Sequence, residues 1–559
     1  MELITDLKAI RKAIGLRLEE SSLYPKLNLD AYKDVTPVLI KGDKRPYALL
    51  VKEVETGNFT PGGAGERAIK KQKVKVIYYS SYFTWEKVAK KRAEYPADEV
   101  TALQKAFSVP ALTVHADMAV DRYRRLSRGF KIEVKPPYPF RGKTWVYGLN
   151  PKKAAAAFLR KRSLVNRWAE GALARELKAS FEDQETLRKF LSRPPFKAFE
   201  VLKDLMKREG LKSILASSPI NLQEMTGIPF DQIGEGLLGL YTRGKIYLLS
   251  SRPLGNFKMI KTFATLREAI DRLAGKSALG VEEKNLDIGR SLSLGLERLQ
   301  NASNLFRAWR EVRSGQDLGA YLLASLATKY AMEGALSMAM ERLGAKQPVY
   351  EKDLEKKFYQ LLREYEQRTS SPLMLSPYFM VMHAGTRTPY PSLPGFFRLS
   401  PKMNSLKLDA GILAKDRGLV LACSDLARSI VMDKKGMDLY RLLEKAMLER
   451  AIPGGREGQT GEGVYREGLD MLLGKEKVLR DWKFIPPAGS LKRDYNRDIG
   501  HTFGKQESTT LFFKKGEKGL TLKQGMVSAI EYQWPYKGYA LGVEDMFVVG
   551  PKHGINITR

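Results

Sequence analysis

Five short blocks near the end of the chain constrain it most. They read SLKLDAG (405–411), ACSDLAR (422–428), DIGHTFG (498–504), SAIEYQW (528–534) and GVEDMFVV (542–549). Each sets one acid or histidine among apolar or small residues: Asp409, Asp425, His501, Glu531 and Glu544. A single acid on an apolar strand is readily a satisfied core carboxylate. Five such groups in chain order, mostly on strand-like segments, are harder to explain that way. Burying several carboxylates together is costly unless cations neutralise them. Two divalent ions are the simplest neutralising agents. Four carboxylates and one imidazole suit manganese, cobalt, iron or zinc.

Composition narrows the setting. At 559 residues the chain is too long for one core, and two to four domains are expected. The single cysteine, Cys423, excludes an intramolecular disulfide and any cysteine-built metal site, and fits a reducing compartment. The opening MELITDLKAIRKAIGLRLEE carries charges throughout, and no run approaches the roughly 18 apolar residues of a membrane span. The expectation is a soluble, cytoplasmic protein with no membrane partner.

The net charge of +32 is large, and residues 101–200 hold 21 Lys and Arg against 9 Asp and Glu, or +12. Such a balance raises nucleic acid as a partner. No RNP, zinc-finger or helix-turn-helix signature accompanies it, so a solvated basic face is the favoured reading. GGAG at 62–65 is not a phosphate loop, because no GK[ST] follows.

Hydrophobic periodicity divides the chain. A helix is expected within 1–35, then strands, a Gly/Pro loop at 56–72 and alternating strands and helices, giving an N-terminal α/β domain over 1–150. Ala-rich helices form a linker over 151–195. A second α/β domain spans 196–312 with a similar plan. From about 305 come two helices reaching 344, a third over EKDLEKKFYQLLREYEQR, and the strand SPYFMVMHAG bearing His383. A hairpin around AKDRG follows, then two helices separated by a flexible PGGREGQTGEG, then strands with His501, Glu531 and Glu544. His115 and His553 read as structural or solvated.

These residues resemble the creatinase/aminopeptidase superfamily, the pita-bread M24-type metallopeptidases, whose ligands run Asp, Asp, His, Glu, Glu. The resemblance lies in LDAG, CSDLAR, IGHTFG, QGMVSAIEYQW and VEDMFVVG. It extends to ILASSPINLQEMTGIP in the second unit and AWREVRSGQDL at the junction. With another unit in front, the layout resembles the three-domain aminopeptidase P and prolidase arrangement. The implied fold is α+β: a C-terminal pita-bread catalytic domain (313–559) preceded by two smaller creatinase-N-like α/β domains.

The resemblance also implies roles. Asp409, Asp425, His501, Glu531 and Glu544 would hold two divalent ions, manganese first, with cobalt, zinc or iron as alternatives. Glu531 would be the general base for a metal-bridging water, and His383 would contact the substrate. Arg428 follows the second aspartate as in the family pattern and is assigned to substrate binding. The reaction implied is hydrolysis of an N-terminal Xaa-Pro or similar amide bond in a peptide or small amide, by a homodimer.

Two positions depart from the pattern. The first two aspartates stand farther apart than usual, 425 − 409 = 16, which leaves Asp416 as the alternative ligand. Where the family carries a second histidine, this chain has Ser508, with Glu507 or Gln506 as substitutes. That change motivates an alternative: a pita-bread enzyme of other chemistry, a creatinase-like hydrolase or lyase using His383. A non-catalytic platform for an acidic partner is the third reading.

Overall fold

The computed structural model describes residues 1–4, 35–39, 48–52, 66, 70, 74–90, 95–135, 142–194, 197–234, 236–255, 257–311, 315–384, 388–391, 393–505, 511–519 and 521–559. The helix expected within 1–35, the loop at 56–72, and Gln506, Glu507 and Ser508 fall mostly or wholly outside these residues.

The described residues build three sheets. The first has six strands, in the order Lys75–Tyr79, Ala48–Lys52, Val35–Leu39, Glu2–Leu3, Ala111–His115, Lys131–Lys135. Its core is made by the inward residues Leu3, Val38, Leu50, Leu112 and Val114. His115 Nε2 lies 2.9 Å from Glu2 Oε1, tying the central strands together.

The second sheet has seven strands, in the order Met259–Phe263, Thr144–Leu149, Lys245–Ser250, Leu238–Thr242, Ser213–Ala216, Leu279–Val281, Leu299–Asn301. Strand Thr144–Leu149, expected at the end of the first unit, belongs here. It pairs antiparallel with Lys245–Ser250 and Met259–Phe263. Successive side chains of a strand point to opposite faces, and Val146 and Tyr147 are both buried. Such a strand needs cover on both sides, and the second unit provides it.

The segment expected to bridge domains is packed. Helix Arg162–Arg175 turns Val165, Trp168, Ala169, Ala172 and Leu173 to one side, the spacing of a helical stripe. That stripe shares a core with the long helix Gly315–Gly344. His553 Nε2, 2.8 Å from Asp183 Oδ1, ties the chain's last turn to helix Phe181–Leu191.

The third sheet positions the five blocks. Its order is Met374–His383, Ser405–Asp416, Leu426–Val431, Tyr539–Val549, Val527–Tyr536, Gly500–Thr502. Leu419–Cys423 pairs with the far half of Ser405–Asp416, and Gly554–Asn556 with Tyr539–Val549. Every pairing in it is antiparallel. PGGREGQTGEG is docked between its helices rather than loose: Arg456 pairs with Glu467 at 2.8 Å, and a Cβ on Gly461 would meet the Phe512 carbonyl at 2.3 Å. Among the described residues no helix is long and apolar enough to cross a membrane.

The units are joined by specific contacts. Gln223 of the second unit closes two hydrogen bonds with the Val420 backbone, and Glu224 pairs with buried Lys505 at 2.7 Å. From the first unit, Phe83 and Trp85 reach the C-terminal domain, where Trp85 lies 5.4 Å from Trp534 and Phe83 lies 5.6 Å from Tyr495.

Candidate metal centre

Strand register brings the dispersed acids together. Asp409 stands opposite Ala427, Ala427 opposite Glu544, and Glu544 opposite Glu531. Residues directly opposite in antiparallel strands share a face. Asp409, Glu544 and Glu531 therefore form one row across four strands. His501 faces Ala529, two residues from Glu531, and so joins the same face.

Asp425 reaches the row through a break in a strand. Ser405–Asp416 pairs with Leu419–Cys423 along its far half and with Leu426–Val431 along its near half. Ser424 and Asp425 lie at the changeover. Gly411 makes room for it, since a Cβ there would sit 2.2 Å from the Ser424 carbonyl. The long spacing is thus taken up by a longer hairpin, turned at Arg417 and Gly418 with φ of 47° and 85°. Asp416 stays at the tip of that hairpin, 3.8 Å from Arg160, outside the cluster.

Ligand atoms of Asp425, His501 and Glu544 lie within 4.8 Å of one another, and so do those of Asp409, Glu531 and Glu544. His501 Nδ1 lies 3.2 Å from the Thr502 carbonyl. A carbonyl only accepts, so Nδ1 donates and Nε2 presents its lone pair toward Asp425 Oδ2, 3.7 Å away. Among the described residues, Oδ1 of Asp409 and Oε1 of Glu544 are buried without a hydrogen-bond partner. Orphaned carboxylate oxygens facing one another are costly, and a divalent ion on oxygen and imidazole ligands removes that cost. The residues present fit a metal.

The electrostatics agree. Burial, then the charges of Asp425, Glu531 and Asp409, push Glu544 well above the usual carboxylate range. Burial raises Asp409 too, against the pull of Lys407. Glu531 goes the other way. Burial would raise it, but Lys407 and Arg497 outweigh burial and hold it at about 2.

Those two cations were not foreseen from the sequence. Lys407 Nζ lies 3.0 Å from Asp409 Oδ2 and 2.7 Å from Glu531 Oε1, and the side chain is 1 % exposed. Burial works against its charge, but Asp409 and Glu531 prevail and keep it protonated. Arg497 donates to Glu531 Oε2 at 2.8 Å and lies over the Tyr82 ring at 4.7 Å. Lys407 had a signal: in SLKLD it stands two residues from Asp409, hence on the same strand face.

His383, expected to contact the substrate, lies on the same face. His383 stands opposite Lys407 on the neighbouring strand. Its Nδ1 lies 3.0 Å from the Thr388 carbonyl, and its buried Nε2 has no hydrogen-bond partner among the described residues. Burial, then the Lys407 charge, push His383 well below its ordinary value, so the ring is neutral. Tyr82 closes the site from the first unit, 5.8 Å from His383, with its phenol raised by burial to about 12.

Arg428, expected to bind substrate, is not on this face. It stands opposite Leu408, on the face away from Asp409. Its guanidinium is used by Asp545 at 2.5 Å and by the Ala427 and Glu544 carbonyls at 2.9 and 2.6 Å. Arg428 therefore holds the back of the strand that presents Glu544.

Residues 324–551 match the model of metallopeptidase family M24, and this C-terminal domain belongs to that family. Among solved structures the chain is similar to a prolidase from Pyrococcus furiosus, at 15 % identity and TM-score 0.46 over 64 % of this chain and 99 % of that one. It is similar to a Xaa-Pro dipeptidase from Bacillus anthracis, at 16 % and 0.48 over 65 % and 98 %. It is also similar to the N-terminal domain of the FACT complex subunit SPT16 from Cicer arietinum (chickpea), at 12 % and 0.49 over 67 % and 96 %. A search of curated protein sequences finds no match.

Proposed function

We propose that the protein is a metal-dependent hydrolase that cleaves an N-terminal Xaa-Pro or similar amide bond in a peptide or small amide. The observation that carries this reading is the row of Asp409, Glu544 and Glu531 with Asp425 and His501 on one buried face. Two ligand groups sharing Glu544 support two adjacent cation positions, and the oxygen-rich donors suit manganese, with cobalt, zinc or iron as alternatives. When bound, a divalent ion supplies Lewis acidity and makes water a usable nucleophile near neutral pH.

The chain's own residues supply the rest. Glu531, held ionised by Lys407 and Arg497, is the proton acceptor at its carboxylate. Its low proton affinity means that the proton is passed on rather than kept. Neutral His383 offers Nε2 as a hydrogen-bonding atom toward the reacting amide. Tyr82, 5.8 Å from the His383 ring and 4.7 Å from the Arg497 guanidinium, covers one side of the site. A homodimer in the cytoplasm, without a nucleic-acid partner, belongs to the same proposal.

The test is hydrolysis of Xaa-Pro di- and tripeptides by chelator-treated protein before and after manganese is restored. Metal-dependent cleavage that is lost in His501→Ala supports the reading. Fully loaded protein that leaves every Xaa-Pro peptide intact sinks it in favour of a different pita-bread chemistry.

A further inference from the structure

The centre holds more positive charge of its own than a pair of divalent ions tolerates. Asp409, Asp425, Glu531 and Glu544 carry four negative charges when ionised. Lys407 and Arg497, both in contact with Glu531, carry two positive ones. For these six side chains, with His501 neutral and Asp498 beside Arg497 left out of the count, the sum is −4 + 2 = −2, the charge of one divalent ion. Two ions would leave the buried site at −2 + 4 = +2, and uncompensated buried charge is costly.

Geometry says where the single ion goes. Of the two ligand groups, Asp409–Glu531–Glu544 already has an ammonium on two of its three members, at 3.0 and 2.7 Å. The sheet is cut away to seat that ammonium's stem. Gly542 lies under it, and a Cβ there would come within 2.4 Å of Lys407 Cε and 2.5 Å of Cδ. Lys407 is 1 % exposed, so its stem is enclosed and its charge is committed to the two carboxylates. The group Asp425–His501–Glu544 shares Glu544 with the other and adds an imidazole, His501, whose Nε2 lies 3.7 Å from Asp425 Oδ2.

We propose that the site takes one divalent ion, on Asp425, His501 and Glu544, and that the Lys407 ammonium fills the second cation position between Asp409 and Glu531. This rests on the metal-dependent reading above and revises its ion count. Asp409 then serves as the counter-ion that fixes Lys407, and Lys407 is a positioning residue that holds Glu531 in place.

The experiment is metal titration of chelator-stripped full-length protein with manganese, read by equilibrium dialysis with elemental analysis. The expected result is one ion per chain, rising to two in Lys407→Met, whose apolar end vacates the position without claiming the carboxylates. Wild-type protein that binds two ions, or none, overturns the proposal, and so does a folded Lys407→Met that still binds one. If that variant does not fold, the electron paramagnetic resonance of wild-type protein in excess manganese decides. An isolated six-line spectrum is expected, and an exchange-coupled pair overturns the proposal. Failure of the hydrolase reading looks different: one ion bound with no peptide cleaved leaves the ion count standing, whereas two ions bound with peptide cleaved does the reverse.

Discussion

Replacing Asp545 with asparagine tests the structural role assigned to Arg428. Asp545 is 0 % exposed and accepts from Arg428 at 2.5 Å, Arg559 at 2.5 Å and Asn556 at 3.1 Å. Asparagine keeps the shape but removes the charge and one acceptor oxygen. That leaves Arg428, with a side chain 10 % exposed, buried without a counter-charge. Removing one partner of a buried pair costs about 3–5 kcal/mol. Arg559 is 29 % exposed and recovers part of its share from water. The expected loss for Asp545→Asn is therefore near the low end, about 3 kcal/mol. Urea unfolding followed by tryptophan fluorescence reads it in the transition of the C-terminal domain. The sign with pH is fixed too. Burial would raise Asp545, but Arg428 and Arg559 hold its folded value below the ordinary carboxylate value. Its contribution is therefore present above the unfolded value of about 4 and is lost as pH falls through the folded one. Wild-type protein should lose this increment in acid, and the variant should have none to lose. A change under about 1 kcal/mol, the size of an exposed pair, would refute the burial argument and return Arg428 to the pocket.

Other expectations follow from single contacts. His383→Ala should lower kcat/KM by at least about 100-fold, the usual scale of a lost proton-transfer or hydrogen-bonding group, while leaving the ion count unchanged. An equal loss of bound metal would place His383 among the ligands instead. Lys505→Met should destabilise by about 3 kcal/mol, because Glu224 is left buried without its partner. The double variant with Glu224→Gln should recover part of that in the same unfolding assay, and strict additivity would count against the pair. Trp85→Ala removes a fully buried ring from the cluster with Tyr495 and Trp534 and should cost about 3–5 kcal/mol. Faster proteolysis within the first unit would accompany it, and unchanged protease resistance would contradict the packing.

What the sequence made legible was the pattern that strand physics forces. Isolated acids on apolar strands had to meet, and register brings Asp409, Glu544 and Glu531 into one row. The two helices near 305–344 and the hairpin over AKDRG were legible from period and turn residues. Lys407 was marked only by its place two residues from Asp409, which sets it on the same strand face, and nothing in the sequence says that its charge is buried there. Tyr82 was not legible, because it meets the site from a separate unit more than 300 positions earlier in the chain, and tertiary packing alone brings it there. Arg428 was misassigned by proximity to Asp425: three residues on along a broken strand, it points to the opposite face. The strand Thr144–Leu149 was placed by chain order, whereas its pairing partners begin about a hundred residues later.

The most direct measurement on the central claim is anomalous diffraction at the manganese edge from crystals of the loaded protein. The account predicts one peak at about 2.0–2.3 Å from Asp425, His501 Nε2 and Glu544, distances ordinary for carboxylate and imidazole ligands, with Lys407 still between Asp409 and Glu531. A face of Asp409, Asp425, His501, Glu531 and Glu544 without any anomalous density, or a peak at Asp416, would contradict it.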